Sequence, residues 1–148
     1  MKYRLLLPYE KDGLLANALI CIPIAEGEQA MVIIIGITGA SGVIYGIRLL
    51  EVLSSISDVE THLIISEAGE TIIKYETEWN INEIKKLVNF TYDIKDLGAR
   101  ISSGSFQRDA MIIAPCTVKT MSALANSYDE NLIIWSGDVT LKERKNCY

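Results

Sequence analysis

Gly36-Ile-Thr-Gly-Ala-Ser-Gly42 places three glycines at every third position directly behind the apolar run Met31-Val-Ile-Ile-Ile35. Glycine lets a backbone turn sharply and leaves room for a bound anion beside the main chain. Apolar positions at helical spacing follow in Val43-Ile-Tyr-Gly-Ile-Arg-Leu-Leu-Glu-Val-Leu53. A strand, a glycine turn and a helix N-terminus form a phosphate cradle, because free N–H groups and the positive end of the helix dipole face the ligand. The chemistry is anion binding, and a nucleotide is the natural ligand class. Two more hydroxyls stand where helices should begin, Ser66 before Glu67 and Thr117 at the head of Thr117–Ala125. As caps they do an ordinary structural job; on a ligand-facing edge the same caps are anion seats. The other reactive residue types read plainly. Cys116 has no histidine near it in sequence and reads as a small buried thiol. His62 is the one histidine, which leaves no Ser–His–Asp triad and no histidine-rich metal site, and it reads as a strand residue. By residue type alone, Glu76, Lys119 and Lys142 are solvated helix charges. Ser103 and Ser105 are loop polars, and Tyr45 and Trp135 are packing residues.

The elements that must position these groups follow from the apolar pattern. Val32–Ile35 is a buried strand, followed by a helix from about Gly42 to Leu53. Thr61–Ile65 is a second strand, and Ser66 caps a helix running to about Glu76. Asn82–Val88 is a short helix and Ser102–Ser105 a loop. Ala110–Ala114 is a third strand, broken by Pro115, and leads to the helix Thr117–Ala125. Leu141–Lys145 ends a helix-like segment. Alternating strands and helices imply a parallel sheet with right-handed crossovers. Ligands of such sheets bind beyond the carboxyl ends of the strands, where Gly39–Ser41, Ser66 and Thr117 would meet. Three strands make a thin sheet with a bare edge, so a further chain or a further stretch of the domain is expected to cover it.

The 148 residues suffice for one domain with a real core, and a 49% hydrophobic share suits a globular α/β protein. A net charge of −5 with scattered lysines and arginines argues against nucleic-acid binding, which needs a concentrated basic face. Three cysteines without a Cys-x-x-Cys pair read as reduced thiols, hence a cytoplasmic setting. No apolar run reaches the ~20 residues that span a bilayer. Lys2 and Arg4 ahead of Leu14–Ala25 faintly resemble a secretory leader, but Glu10, Asp12, Asn17 and Pro23 argue against one. Residues 1–30 read as an extension that packs as a strand or hairpin, with Met31 a candidate internal start.

Six pieces together resemble the flavin prenyltransferases of the UbiX/Pad type. They are Gly36–Leu50, Glu60–Ser66, Tyr75–Thr77, Ile101-Ser-Ser-Gly-Ser-Phe106, Ala114-Pro-Cys-Thr-Val-Lys-Thr120 and Asp138-Val-Thr-Leu-Lys-Glu-Arg144, in family order. The resemblance implies a Rossmann-like or flavodoxin-like three-layer domain over residues 31–145, apparently lacking its C-terminal strands, with residues 1–30 outside the pattern. It implies transfer of a dimethylallyl group from dimethylallyl phosphate to reduced FMN, without a metal. The prenylated FMN would serve a UbiD-type decarboxylase. The family's assemblies are homo-oligomers, trimers and dodecamers with sites at subunit contacts. By resemblance Gly39, Ala40 and Ser41 hold FMN, joined by Ser66, Ser103, Thr117, Val118, Lys119 and Thr120. Ser41 also faces the prenyl phosphate, Glu76 is the acid at the reacting centre, and Lys142 binds phosphate. Trp135 stands where the family pattern has arginine, and the family continues beyond Arg144 with further phosphate-binding residues. A truncated, catalytically inactive FMN-binding member is therefore the alternative reading. Thr38-Gly-Ala-Ser-Gly42 alone would also suit a short-chain dehydrogenase, but neither Tyr75 nor Tyr128 starts a Tyr-x-x-x-Lys pair.

Overall fold

The computed structural model describes residues 3–5, 21–23 and 30–148. Near the N-terminus, β1 (Tyr3–Leu5) pairs antiparallel with β2 (Cys21–Pro23). Most of the leader-like stretch 14–25 lies outside the described residues.

The main sheet is parallel and holds five strands, not the three read from the sequence. They are β3 (Met31–Ile37), β4 (Val59–Ile65), β5 (Phe90–Tyr92), β6 (Ala110–Ile113) and β7 (Asn146–Cys147), in the spatial order β5-β4-β3-β6-β7. The two missed strands are three and two residues long, too short to show a period of their own. They flank the sheet, so β3, an apolar run buried on both faces, lies at its centre. The chain fills one side of β3 with β4 and β5 and the other with β6 and β7. That reversal of direction between β3 and β6 defines a topological switch point of the doubly wound kind.

Among the described residues, five helices and one 3₁₀ turn cover the faces. They are α1 (Val43–Ser54), α2 (Glu67–Glu76), α3 (Ile81–Lys85), η1 (Arg100–Ser102), α4 (Val118–Ala125) and α5 (Leu132–Lys142). The predicted helix over 82–88 is the shorter α3, started by a capping box between Asn80 and Glu83. Side chains alternate along a strand, so β3 feeds two cores. Ile33, Ile35 and Ile37 pack with Ile47 and Leu50 of α1, Ile73 of α2 and Ile84 of α3. Ile34 packs on the other face with Ile101, Met111, Leu132 and Ile133. Each fully buried Leu or Ile contributes ~1.5–3 kcal/mol. No helix among the described residues is long and apolar enough to cross a membrane.

Two directions matter for the site. The carboxyl ends of β3, β4 and β6 open into the turns bearing Gly39–Ser41, Ser66 and Thr117. α5 starts at this same edge, where Leu132 N–H donates to Ile94 O just beyond β5. It then returns to the amino edge, where Lys145 N–H donates to Thr140 O and Asn146 comes into register with Ala110.

Candidate functional site

Hydrogen bonds tie the three turns at the switch point into one structure. Ser66 N–H donates to Ile37 O at 2.9 Å, joining the ends of β3 and β4. Thr38, only 3% exposed, joins β3 to β6. Its Oγ1 donates to Pro115 O at 2.7 Å and accepts from Thr117 N at 2.9 Å.

Each turn opens a helix. Gly42 stands before α1 with φ 89° and offers no side-chain cap, a conformation that glycine adopts without strain. Ser66 caps α2, its Oγ accepting from Gly69 N at 3.0 Å. Thr117 caps α4 by accepting from Thr120 N at 3.1 Å, and its hydroxyl lies 2.9 Å from that of Thr120. Helix N-termini carry partial positive charge, and these three turns gather those of α1, α2 and α4.

α2 touches the β3–α1 turn at both ends. At its start, a Cβ on Gly39 would lie 2.4 Å from Ala68 Cβ, so only a bare backbone fits there. At its end, Glu76 Oε2 accepts from Gly42 N at 2.9 Å. The structure thus brings together Gly39, Ala40, Ser41, Ser66, Glu76, Thr117 and Thr120. Val118 is exposed on the first turn of α4, and the Lys119 ammonium lies 2.6 Å from Glu130 Oε1. Cys116 is exposed, not buried as its sequence setting suggested, yet partial desolvation raises its thiol above the ordinary value, which disfavours the nucleophilic thiolate.

Ser103 and Lys142 lie elsewhere. Ser103 precedes Gly104, whose added Cβ would meet Glu143 Oε1 at 3.1 Å, and Lys142 ends α5. Both belong to the amino edge. A seven-residue strand at ~3.3 Å per residue separates the edges by about 20 Å. Ser103 Oγ is 2.9 Å from Ser105 Oγ. Lys142 Nζ is 2.5 Å from Asp138 Oδ2. Asp138 is itself buried and accepts from Ser127 Oγ at 2.8 Å. The pair holds the ammonium above and the carboxyl below their ordinary values, in each case chiefly through that hydrogen bond.

His62 is buried within β4, as expected of a strand residue, with Tyr92 Oη 2.9 Å from Nδ1 and Glu60 Oε1 2.8 Å from Nε2. Burial pushes its pKa below the usual histidine range, against the opposing pull of Glu60. No group of three or more His, Cys, Asp or Glu residues suited to a metal occurs among the described residues. Thr38, Arg108 and Asp138 were not singled out from the sequence. Thr38 had a signal, a hydroxyl inside the glycine turn; Arg108 had none.

A doubly wound parallel sheet with helix N-termini gathered at its switch point defines an α/β protein of the nucleotide-binding class. The chain belongs to the Flavoprotein family, whose model matches residues 24–148. It is 52% identical over 115 residues to the flavin prenyltransferase UbiX of Thauera aromatica, covering 78% of this chain and 59% of that protein. The crystal structure of AnUbiX (PadA1) in complex with FMN and dimethylallyl pyrophosphate superposes with a TM-score of 0.78 at 39% identity, covering 80% of this chain and 63% of that one. A dodecameric FMN-dependent UbiX-like decarboxylase from Escherichia coli O157:H7 gives a TM-score of 0.78 at 38% identity, covering 79% and 64%. The Thauera relative bears the name of the flavin prenyltransferase type that the motifs resemble. The chain spans about three-fifths of the length of the curated relatives it matches.

Proposed function

We propose that the chain is a flavin prenyltransferase that holds reduced FMN at the switch point and joins to it a dimethylallyl group from dimethylallyl phosphate. The single observation that carries this reading is the hydrogen-bonded union of the three turns, with Glu76 drawn onto Gly42 N. The cradle suits a flavin phosphate: the backbone at Gly39 is bare, and hydroxyls of Ser66, Thr117 and Thr120 border two helix N-termini. When bound, FMN supplies an electron-rich aromatic acceptor for the allyl group. The chain's own residues hold and orient. Gly39, Ala40 and Ser41 face the phosphate with backbone and hydroxyl; Ser66 and Thr117 through Thr120 flank it. The allyl C–O bond breaks and the prenyl phosphate departs; Ser41, which also faces that phosphate, is fixed before reaction and stabilises it without reorganising. Glu76 accepts a proton at its carboxylate.

Ser103 and Lys142 serve the pocket of a neighbouring copy in this reading. Their place on the amino edge, about 20 Å from their own chain's cradle by strand rise, supports that assignment. So does the dodecameric assembly of the Escherichia coli relative. Val118, Met121, Tyr128, Trp135 and Leu141 are large apolar side chains exposed on α4, α5 and their connection, surface suited to contact between copies. The product, prenylated FMN, would pass to a UbiD-type decarboxylase.

The test mixes purified protein with reduced FMN and dimethylallyl phosphate and seeks prenylated flavin by mass spectrometry. Product supports the transferase. Bound FMN without product supports the second reading, an inactive FMN-binding member. That reading is favoured by Trp135, 36% exposed on α5, which offers an indole and no guanidinium fork.

A further inference from the structure

Arg108 is 2% exposed, and no carboxylate is among its hydrogen-bond partners. Its Nε donates to Phe106 O at 3.3 Å and its Nη2 to Ser103 O. Its Nη1 donates at 3.4 Å to both Ser136 O and Thr140 Oγ1. One planar fork therefore grips both ends of the Ser103–Phe106 turn and the middle of α5. The turn is closed on itself as well, Phe106 N–H donating to Ser103 O at 3.2 Å. Less than one helical turn beyond Thr140, α5 carries Lys142, oriented by Asp138.

Burying a charge is costly unless hydrogen bonds compensate for lost water. Met would fill much of the same space without that cost, but it could not bond three carbonyls and a hydroxyl at once. Lysine lacks the rigid fork and cannot reproduce the set. A guanidinium at this place makes sense where two segments must keep a fixed spacing.

We propose that Arg108 is a positioning residue, fixing Ser103 and Lys142 relative to each other so that they meet a neighbouring copy's flavin and prenyl phosphate as a preformed half-site. This rests on the reading that those two residues serve a neighbouring copy. Arg108 itself touches no reacting atom; it acts through the turn and α5.

The experiment compares the full chain with Arg108→Met and Arg108→Lys. Amide hydrogen exchange is followed across the turn and across β3 and α1. FMN affinity and the KM for dimethylallyl phosphate are measured alongside. The expected result for Arg108→Met is at least tenfold faster exchange at Phe106, with β3 and α1 unchanged. FMN affinity falls by less than the prenyl substrate's, because Ser103 is one of many flavin contacts, and the KM for dimethylallyl phosphate rises at least tenfold. Arg108→Lys falls between, and carries the same readouts alone if Arg108→Met does not fold. Unchanged turn exchange with unchanged KM overturns the proposal. So does uniformly faster exchange across β3 and α1, which makes Arg108 a general core residue. If the unaltered chain transfers no prenyl group, the transferase reading falls, and turn exchange still decides for or against Arg108.

Discussion

Thr38→Val deletes one hydroxyl at the switch point and keeps the branched shape of the side chain. The swap is not neutral, because the hydroxyl is bonded on both sides. Pro115 O keeps the Thr38 N–H at 3.2 Å, so its loss is partial. Thr117 N–H loses the acceptor it has at 2.9 Å and gains none. One partly buried donor left unpaired costs about 1–3 kcal/mol. For a domain of this size each kcal/mol lowers the melting temperature by roughly 2–4 °C. The same hydroxyl sets the distance between the glycine turn and the α4 N-terminus. FMN affinity therefore falls as well, by about tenfold for each 1.4 kcal/mol that reaches the bound state. Thermal melts and a flavin-fluorescence titration read both effects. Thr38→Ser keeps the hydroxyl and restores most of the binding. A Thr38→Val chain that melts and binds FMN as the unaltered chain does, or a Thr38→Ser chain as damaged as Thr38→Val, would strip the hydroxyl of this role.

Gly39→Ala drives a methyl to 2.4 Å from Ala68 Cβ and costs about 1–3 kcal/mol of stability. Ala68→Gly in the same chain recovers part of that loss in a double-mutant cycle by denaturant unfolding. Glu76→Gln retains an oxygen that can accept from Gly42 N–H but gives up the carboxylate proposed to take a proton. FMN binding stays within a few-fold, while single-turnover prenyl transfer slows by about a hundredfold or more. His62 is held neutral by burial, below its ordinary 6.5. The unfolded chain then binds the extra proton first as pH drops, so stability is full above about 6.5 and declines below it. Melting curves between pH 7 and 5 should show that slope, reduced in His62→Gln; an identical slope in both proteins would remove His62 from the account.

The central strands were legible because Met31–Ile37 and Ala110–Ile113 are buried on both faces and read as apolar runs. The caps were legible because Ser66 and Thr117 are chemically suited to helix starts and lie just after strands. β5 was not, since Phe90 and Thr91 are exposed at the sheet margin and the strand exists only by pairing with β4. β7 likewise borrows its extended form from β6. The motif pieces group Ser103 and Lys142 with the cradle residues, and nothing in their spacing tells which edge they occupy. That follows only from the fold: α5 returns Lys142 to the amino edge, and the Ser103 turn lies there because it leads into the start of β6 and packs against Glu143. Arg108 had no motif at all: its meaning lies in four partners on two segments brought together by tertiary packing.

In the proposed reading the turns after β3, β4 and β6 form one anion seat for a flavin phosphate. Hydrogen exchange of the purified chain with and without FMN tests it most directly. Protection should appear together at residues 39–42, 66–69 and 117–120, and riboflavin, which lacks the phosphate, should leave all three unprotected. Protection confined to one of these turns, or equal protection by riboflavin, would contradict it.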